Sequence, residues 1–122
     1  RRGIKGVSEN IHVRSIVGRF LEHSRILYFR NGGKDDVFIS SADWMPRNLN
    51  NRVELMIPVA GKAHKRRLKA ILNIYIKDNK KAYLMRSDGS YVRASCRKGS
   101  TPIAAQNFLM ETAIKGEVLG QK

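Results

Sequence analysis

The apolar positions of this chain change rhythm several times, and each change marks an element. Arg1–Ser8, with two glycines and a lysine, reads as loop. Ser8 or Asn10 can then cap a helix carrying Ile16, Val17, Phe20 and Leu21 on one face, with His23 at its C-terminal end. Ile26–Phe29 is a β-prone run, Asn31-Gly32-Gly33-Lys34-Asp35-Asp36 is turn chemistry, and Val37–Ser41 is a second β-prone run, so a hairpin is predicted. Ala42–Asn51, with Pro46 and three asparagines, is expected to be irregular, and Val53–Val59 reads as a third strand ended by Pro58 and Gly61.

Helical spacing returns in Lys62–Ile76, where Ala63, Leu68, Ile71, Leu72 and Tyr75 share a face and Lys65-Arg66-Arg67-Lys69 point mostly away from it. Asp78–Lys81 is a polar turn. Ala82–Met85 and Tyr91–Ala94 flank Ser87-Asp88-Gly89-Ser90 as a second hairpin, and Pro102 opens a final helix bearing Ile103, Phe108, Leu109 and Ala113, with Gly116 as its stop. Helices and strands mix through the whole length without an internal repeat, which sets the class as α/β, an α+β arrangement with a mixed sheet. At 122 residues the chain is expected to be a single domain, residues 1–122, or a piece of one. It begins with Arg1-Arg2-Gly3 and no Met, and so reads as a segment of a longer protein.

Charge adds what the pattern does not show. The sequence holds 24 Lys and Arg against 10 Asp and Glu, a net +14, so a polyanionic partner is expected. Thirteen of the cations are arginines, eight of them within residues 1–52. The planar guanidinium matches phosphate oxygens in pairs, which makes phosphate recognition the leading class. A lone cysteine, Cys96, allows no internal disulfide and suits a reducing, cytoplasmic setting. His12, His23 and His64 are scattered with no zinc spacing, neither GxxxxGKS/T nor GxGxxG occurs, and no apolar run is long enough to span a membrane.

Three constellations can carry chemistry. In Leu21-Glu22-His23-Ser24-Arg25 the histidine can act as acid, base or phosphate ligand; the plainer alternative is a helix-end His suited to the dipole. Ser40-Ser41-Ala42-Asp43-Trp44-Met45-Pro46-Arg47-Asn48 follows a strand and brings hydroxyls, a carboxylate, an Arg and an amide, the parts of a phosphate-positioning loop. Its plainer alternative is a self-capping loop with Trp44 packed in the core. Arg52 extends the basic series, or else pairs with Glu54. Residues 61–98 hold 12 cations against 2 carboxylates, which keeps a nucleic-acid or RNA-binding module as the alternative function. Against it, Tyr75, Tyr83 and Tyr91 are expected to face the core and not to present stacking surfaces.

Two long runs carry a resemblance. Gly6-Val7-Ser8-Glu9-Asn10-Ile11 with Val13–Ile26, and Ser40–Leu49 with Arg52-Val53-Glu54, closely resemble the C-terminal region of the long-chain polyphosphate-synthesising type of polyphosphate kinase, and Asp88-Gly89-Ser90-Tyr91-Val92-Arg93 is similar to a third segment. The resemblance implies most of the second of two phospholipase D-like C-terminal domains in a homo-oligomeric enzyme. That family moves the terminal phosphoryl group of ATP to polyphosphate, reversibly and with Mg²⁺, through a phosphohistidine. By the family's pattern the phosphohistidine and the Mg²⁺ ligands lie outside this chain, and the isolated piece is expected to be inactive. His23-Ser24-Arg25 stands where His-x-Lys would, and Ser41-Ala42-Asp43 resembles Ser-x-Asn. The residues so implied are His23 as the ATP-contacting acid or base, Arg47 and Arg52 as phosphate clamps, Arg14 and Arg25 as further charge neutralisers, and Ser41, Asp43 and Asn48 as orienting groups.

Overall fold

The computed structural model of the chain describes residues 1–121. Its elements run in the order β1 (Arg14–Ile16), β2 (Ile26–Phe29), β3 (Asp36–Ser40), α1 (Pro46–Asn51), β4 (Met56–Pro58), α2 (Lys62–Lys77), β5 (Ala82–Met85), β6 (Tyr91–Arg93) and α3 (Ala105–Ile114). The strands form two three-stranded sheets, β1-β5-β6 and β2-β3-β4, and every pairing is antiparallel. The chain divides into two compact units: Arg1–Leu21 with Asn73–Glu117, and Glu22–Leu72 with the last residues from Val118.

The first unit holds the β1-β5-β6 sheet and α3. The helix expected after Ser8 is not there. Arg14–Ile16 is instead a strand beside β5, with Ser15 opposite Tyr83, and the chain from Val17 to Arg25 is irregular. Val13, Ile16 and Val17 are β-branched, and an open edge of β5 offers them a ladder that outweighs a weak helical pattern. Gly18 follows, and a Cβ there would press on the Gln106 side-chain amide, which would have to shift. The Gln106 side chain imitates a strand neighbour: Phe20 N–H donates to Oε1 at 3.0 Å and Nε2 donates to the Phe20 carbonyl at 2.7 Å.

Asp78 is the centre of this unit and is fully buried. Its Oδ1 accepts from the amides of Lys80, Lys81 and Ala82 at 3.0, 2.6 and 3.0 Å, and its Oδ2 accepts from Ala105 N–H at 2.7 Å. α3 starts behind Ala104, which has no side chain able to cap it, so Asp78 caps the helix from a distant part of the chain. The adjacent Asn79 binds Thr101 and Ile103, which holds that stretch extended. This is why α3 begins at Ala105 and not at Pro102. Ala82 and Ala105 are fully buried beside the carboxylate, whereas Tyr91 is exposed, against expectation.

In the second unit the predicted β2–β3 hairpin is present, with Ile26 opposite Ile39 and Phe29 opposite Asp36. Asn31–Gly33 makes a tight turn in which Gly32 has φ of 61°, a conformation that costs glycine little. β4 joins β3 over Met56–Pro58 only, shorter than the expected strand. Lys69 ties α2 to the hairpin by an ion pair with Asp35 and lies 4.9 Å over the Tyr28 ring, while Tyr28 O–H donates to Asp35 at 2.6 Å. The Lys69 hydrogen bond, with that of Tyr28, holds the Asp35 carboxyl below its ordinary range. Val37 and Ala42 are the buried apolar residues of this unit among those described.

Candidate active site

Hairpin register assembles the site. Since Ile26 faces Ile39, the chain entering β2 and the chain leaving β3 run side by side, and Ser40 N–H extends the ladder by donating to the Arg25 carbonyl at 2.9 Å. Residues 23–25 and 41–43 therefore meet at the open end of the hairpin. This brings together two segments the sequence separates by a turn and two strands. His23 is not a helix-end residue, as first expected, but is exposed on the irregular segment before β2, so the helix-dipole reading of it fails.

Arg25 bridges the two segments. Its Nε and Nη2 both donate to Asp43 Oδ1, at 2.8 and 2.6 Å, while Nη1 and Nη2 face His23 Nδ1 and Nε2 at 3.3 and 3.1 Å. A neutral imidazole has one acceptor nitrogen, so only one of the His23 contacts is a true hydrogen bond at a time. The Arg25 hydrogen bonds hold the Asp43 carboxyl below its usual range against partial desolvation, and the charges of Arg25, His23 and Arg47 add to this.

The other expected residues divide. Ser41 Oγ donates to Glu54 and accepts from Leu55 N–H at 3.0 Å, so Glu54 serves Ser41 and not Arg52. Glu54, which the sequence suggests only as a salt-bridge partner of Arg52, instead accepts a hydrogen bond from Ser41. Ala42–Asn51 is not wholly irregular: Pro46 starts a short helix, α1, with Arg47 exposed and Asn48 buried. Asn48 Oδ1 has no partner, and as an acceptor it suits an N–H or O–H group and not a phosphate oxygen. Arg52 follows α1 and is exposed. Trp44, at 78% exposure, is no core residue. Arg14 lies on β1 in the other unit, where its guanidinium donates to the Asp78 carbonyl.

The open hairpin end thus gathers the His23 imidazole and the Arg25–Asp43 ion pair, with the charge of Arg47 acting on Asp43. Comparison with known proteins gives this arrangement a family. The model of the polyphosphate kinase C-terminal domain 2 matches residues 1–106, and the chain belongs to that family. It is 49% identical over 121 residues to the polyphosphate kinase of Rhodopirellula baltica, covering 99% of this chain and 14% of that protein. It is 54% identical over 111 residues to that of Pseudomonas aeruginosa, covering 91% and 16%. The crystal structure of polyphosphate kinase from Porphyromonas gingivalis superposes with a TM-score of 0.80 at 43% identity, covering 89% of this chain and 16% of that one. The chain therefore spans only 14% to 16% of these relatives. The RNA-binding alternative, which rested on charge alone, is not favoured by them. Among the described residues no helix is long and apolar enough to cross a membrane.

Proposed function

We propose that this chain is the part of a polyphosphate kinase that presents His23 to ATP, in an enzyme that reversibly transfers the terminal phosphoryl group of ATP to polyphosphate through a phosphohistidine located outside this chain. The observation that carries the reading is the meeting of His23, Arg25 and Asp43 at one hairpin end in a chain of this family. Phosphoryl transfer through a loose transition state demands charge neutralisation and in-line positioning more than bond-making by the protein. Exposed Arg47 and Arg52 are suited to clamp phosphate oxygens, and His23 to hold or accept a proton at the reacting group. Ser41, Asp43 and Asn48 orient the loop that carries them. The net +14 charge concentrates polyphosphate and nucleotide near the site.

Magnesium is the metal expected with ATP. A hard divalent cation takes several oxygen ligands. Among the described residues no three His, Cys, Asp or Glu side chains converge, and Asp43 is already neutralised by Arg25. The ion's ligands are proposed to lie elsewhere in a longer, cytoplasmic, homo-oligomeric enzyme.

The test is His23→Ala in the full-length protein, with His64→Ala on α2 as control. An exposed His on an irregular segment contributes little to stability, so the melting temperature should hold. ATP-dependent polyphosphate formation should fall by about 10² to 10⁴, the usual cost of losing a positioned acid or base. Near wild-type turnover in folded His23→Ala would remove His23 from the chemistry.

A further inference from the structure

We propose that Arg25 and Asp43 are a positioning pair for His23, with the Arg25 guanidinium serving the imidazole and not the phosphate. The inference rests on the role proposed for His23 and reassigns Arg25 within it.

An arginine that clamps phosphate must have N–H groups to offer. Arg25 has few to spare: its side chain is 17% exposed, two of its contacts fall on Asp43 Oδ1, and two more face the His23 ring. A guanidinium owns five N–H groups, and the two bonds to Asp43 with the one His23 bond possible at a time engage three of them. Its charge is also cancelled by Asp43, which leaves little net attraction for another anion. Arg47 and Arg52 differ in both respects, being exposed and without an ion-pair partner among the described residues. The arginines of the site thus divide into one held inward and two available to ligand.

The backbone explains why the pair can position anything. Arg25 is fixed by the bond from Ser40 N–H to its carbonyl, and Asp43 is fixed by the bond from Met45 N–H to its own carbonyl at 2.7 Å, next to buried Ala42. His23 has no such support: it is exposed, off any strand, and Arg25 is its polar partner among the described residues. A ring held at one point by a rigid fork, itself held by a carboxylate, is confined to a narrow range of orientations. Lysine in place of Arg25 cannot reproduce this, because one ammonium cannot span Asp43 and the imidazole with fixed geometry.

The experiment uses full-length protein and the variants Arg25→Lys, Asp43→Asn, His23→Ala, and each of the first two combined with His23→Ala. Melting temperature is checked for every variant, and Asp43→Glu is included because it retains the carboxylate. Arg25→Lys and Asp43→Asn should lower kcat for ATP-dependent polyphosphate synthesis by about 10²-fold, the cost of a misplaced reacting group, with KM for ATP unchanged. Asp43→Glu should recover part of the loss. In the His23→Ala background neither substitution should cost anything further, since both act through the missing ring. A raised KM for ATP in Arg25→Lys, or a full additional loss of turnover on top of His23→Ala, would overturn the inference and make Arg25 a direct ligand. Wild-type turnover in His23→Ala would instead overturn the catalytic reading beneath it, so the two failures are told apart.

Discussion

Asp78 offers the sharpest test of how this fold is held. Replacing it by alanine leaves four backbone amides, those of Lys80, Lys81, Ala82 and Ala105, without their acceptor. A buried donor left unsatisfied costs about 1 to 3 kcal/mol. The four are neighbours and can relax together, so the loss is less than their sum, about 3 to 5 kcal/mol. Asparagine retains an acceptor for one set of amides but turns its NH2 donor toward the other, and should cost about 1.5 to 3 kcal/mol. In the full-length protein the assay is hydrogen–deuterium exchange read by mass spectrometry on peptides spanning residues 78–85 and 103–108. At about 1.4 kcal/mol per factor of ten, Asp78→Ala should speed exchange there by about 10² to 10³-fold or more, with the two peptides affected together. Burial alone would raise the carboxyl, yet the amides of Ala105, Lys81, Lys80 and Ala82 outweigh it and hold it below its ordinary value. The contribution is therefore complete above about pH 4, the unfolded value, and is lost as pH falls through the lower folded value. Exchange in Asp78→Ala that matches wild type at pH 7, or that changes in one peptide alone, would refute the account.

Two further tests follow from close contacts. Gly18→Ala should lower stability by about 1 to 3 kcal/mol through overpacking, and Gln106→Ala should relieve much of that loss when combined with it, because the clash is with Gln106 Oε1; strictly additive melting shifts would refute the pairing. Tyr28→Phe should speed exchange in the β2–β3 hairpin, and Asp35→Asn should do so more, since Lys69 is the stronger of the two donors that lower Asp35. For the Asp35–Lys69 pair the depressed carboxyl is the acid limit: its support is present above the unfolded Asp value and fades as pH falls through the folded one. The raised Lys69 sets the alkaline limit, its support being present below the unfolded Lys value and lost as pH climbs through the folded one. An Asp35→Asn hairpin with wild-type exchange at pH 7 would show that the pair contributes nothing.

Local signals made much of the fold legible. Asn31-Gly32-Gly33 between two β-prone runs fixed the hairpin, Ser87–Ser90 fixed the second, and the apolar face from Ala63 to Tyr75 fixed α2, which ends one residue beyond expectation at Lys77. What failed depended on partners distant in sequence. The segment from Ser8 to Leu21 has spacing compatible with a helix, and only β5 and Gln106, more than sixty residues away, decide that it is strand and loop. Asp78 reads as an ordinary turn residue because its second partner, Ala105, lies on another element. At the site, residue types were legible and pairings were not. Arg25, Asp43 and His23 stood out by chemistry, but that Arg25 joins the other two follows from hairpin register, and that Glu54 belongs to Ser41 follows from where β4 leaves β3.

The distribution of charge links the fold to its proposed work. Ten carboxylates face 24 Lys and Arg, and two of those carboxylates form the ion pairs Arg25–Asp43 and Lys69–Asp35. Both sit on the β2–β3 hairpin, one near its turn and one at its open end, so the scarce negative charge is placed where it fixes the element that carries the site. The remaining cations repel one another, which opposes compaction. Even α2 has no acidic residue in its first turn, where the helix dipole would favour one, and carries Lys62, Lys65, Arg66 and Arg67 near that end. Charge that works against the fold in this way is relieved when a polyanion binds. By linkage, any ligand that binds the folded form preferentially raises its stability. The same arrangement that leaves the unliganded chain self-repelling therefore couples the proposed polyphosphate substrate to folding, with a coupling that weakens as salt screens both repulsion and binding.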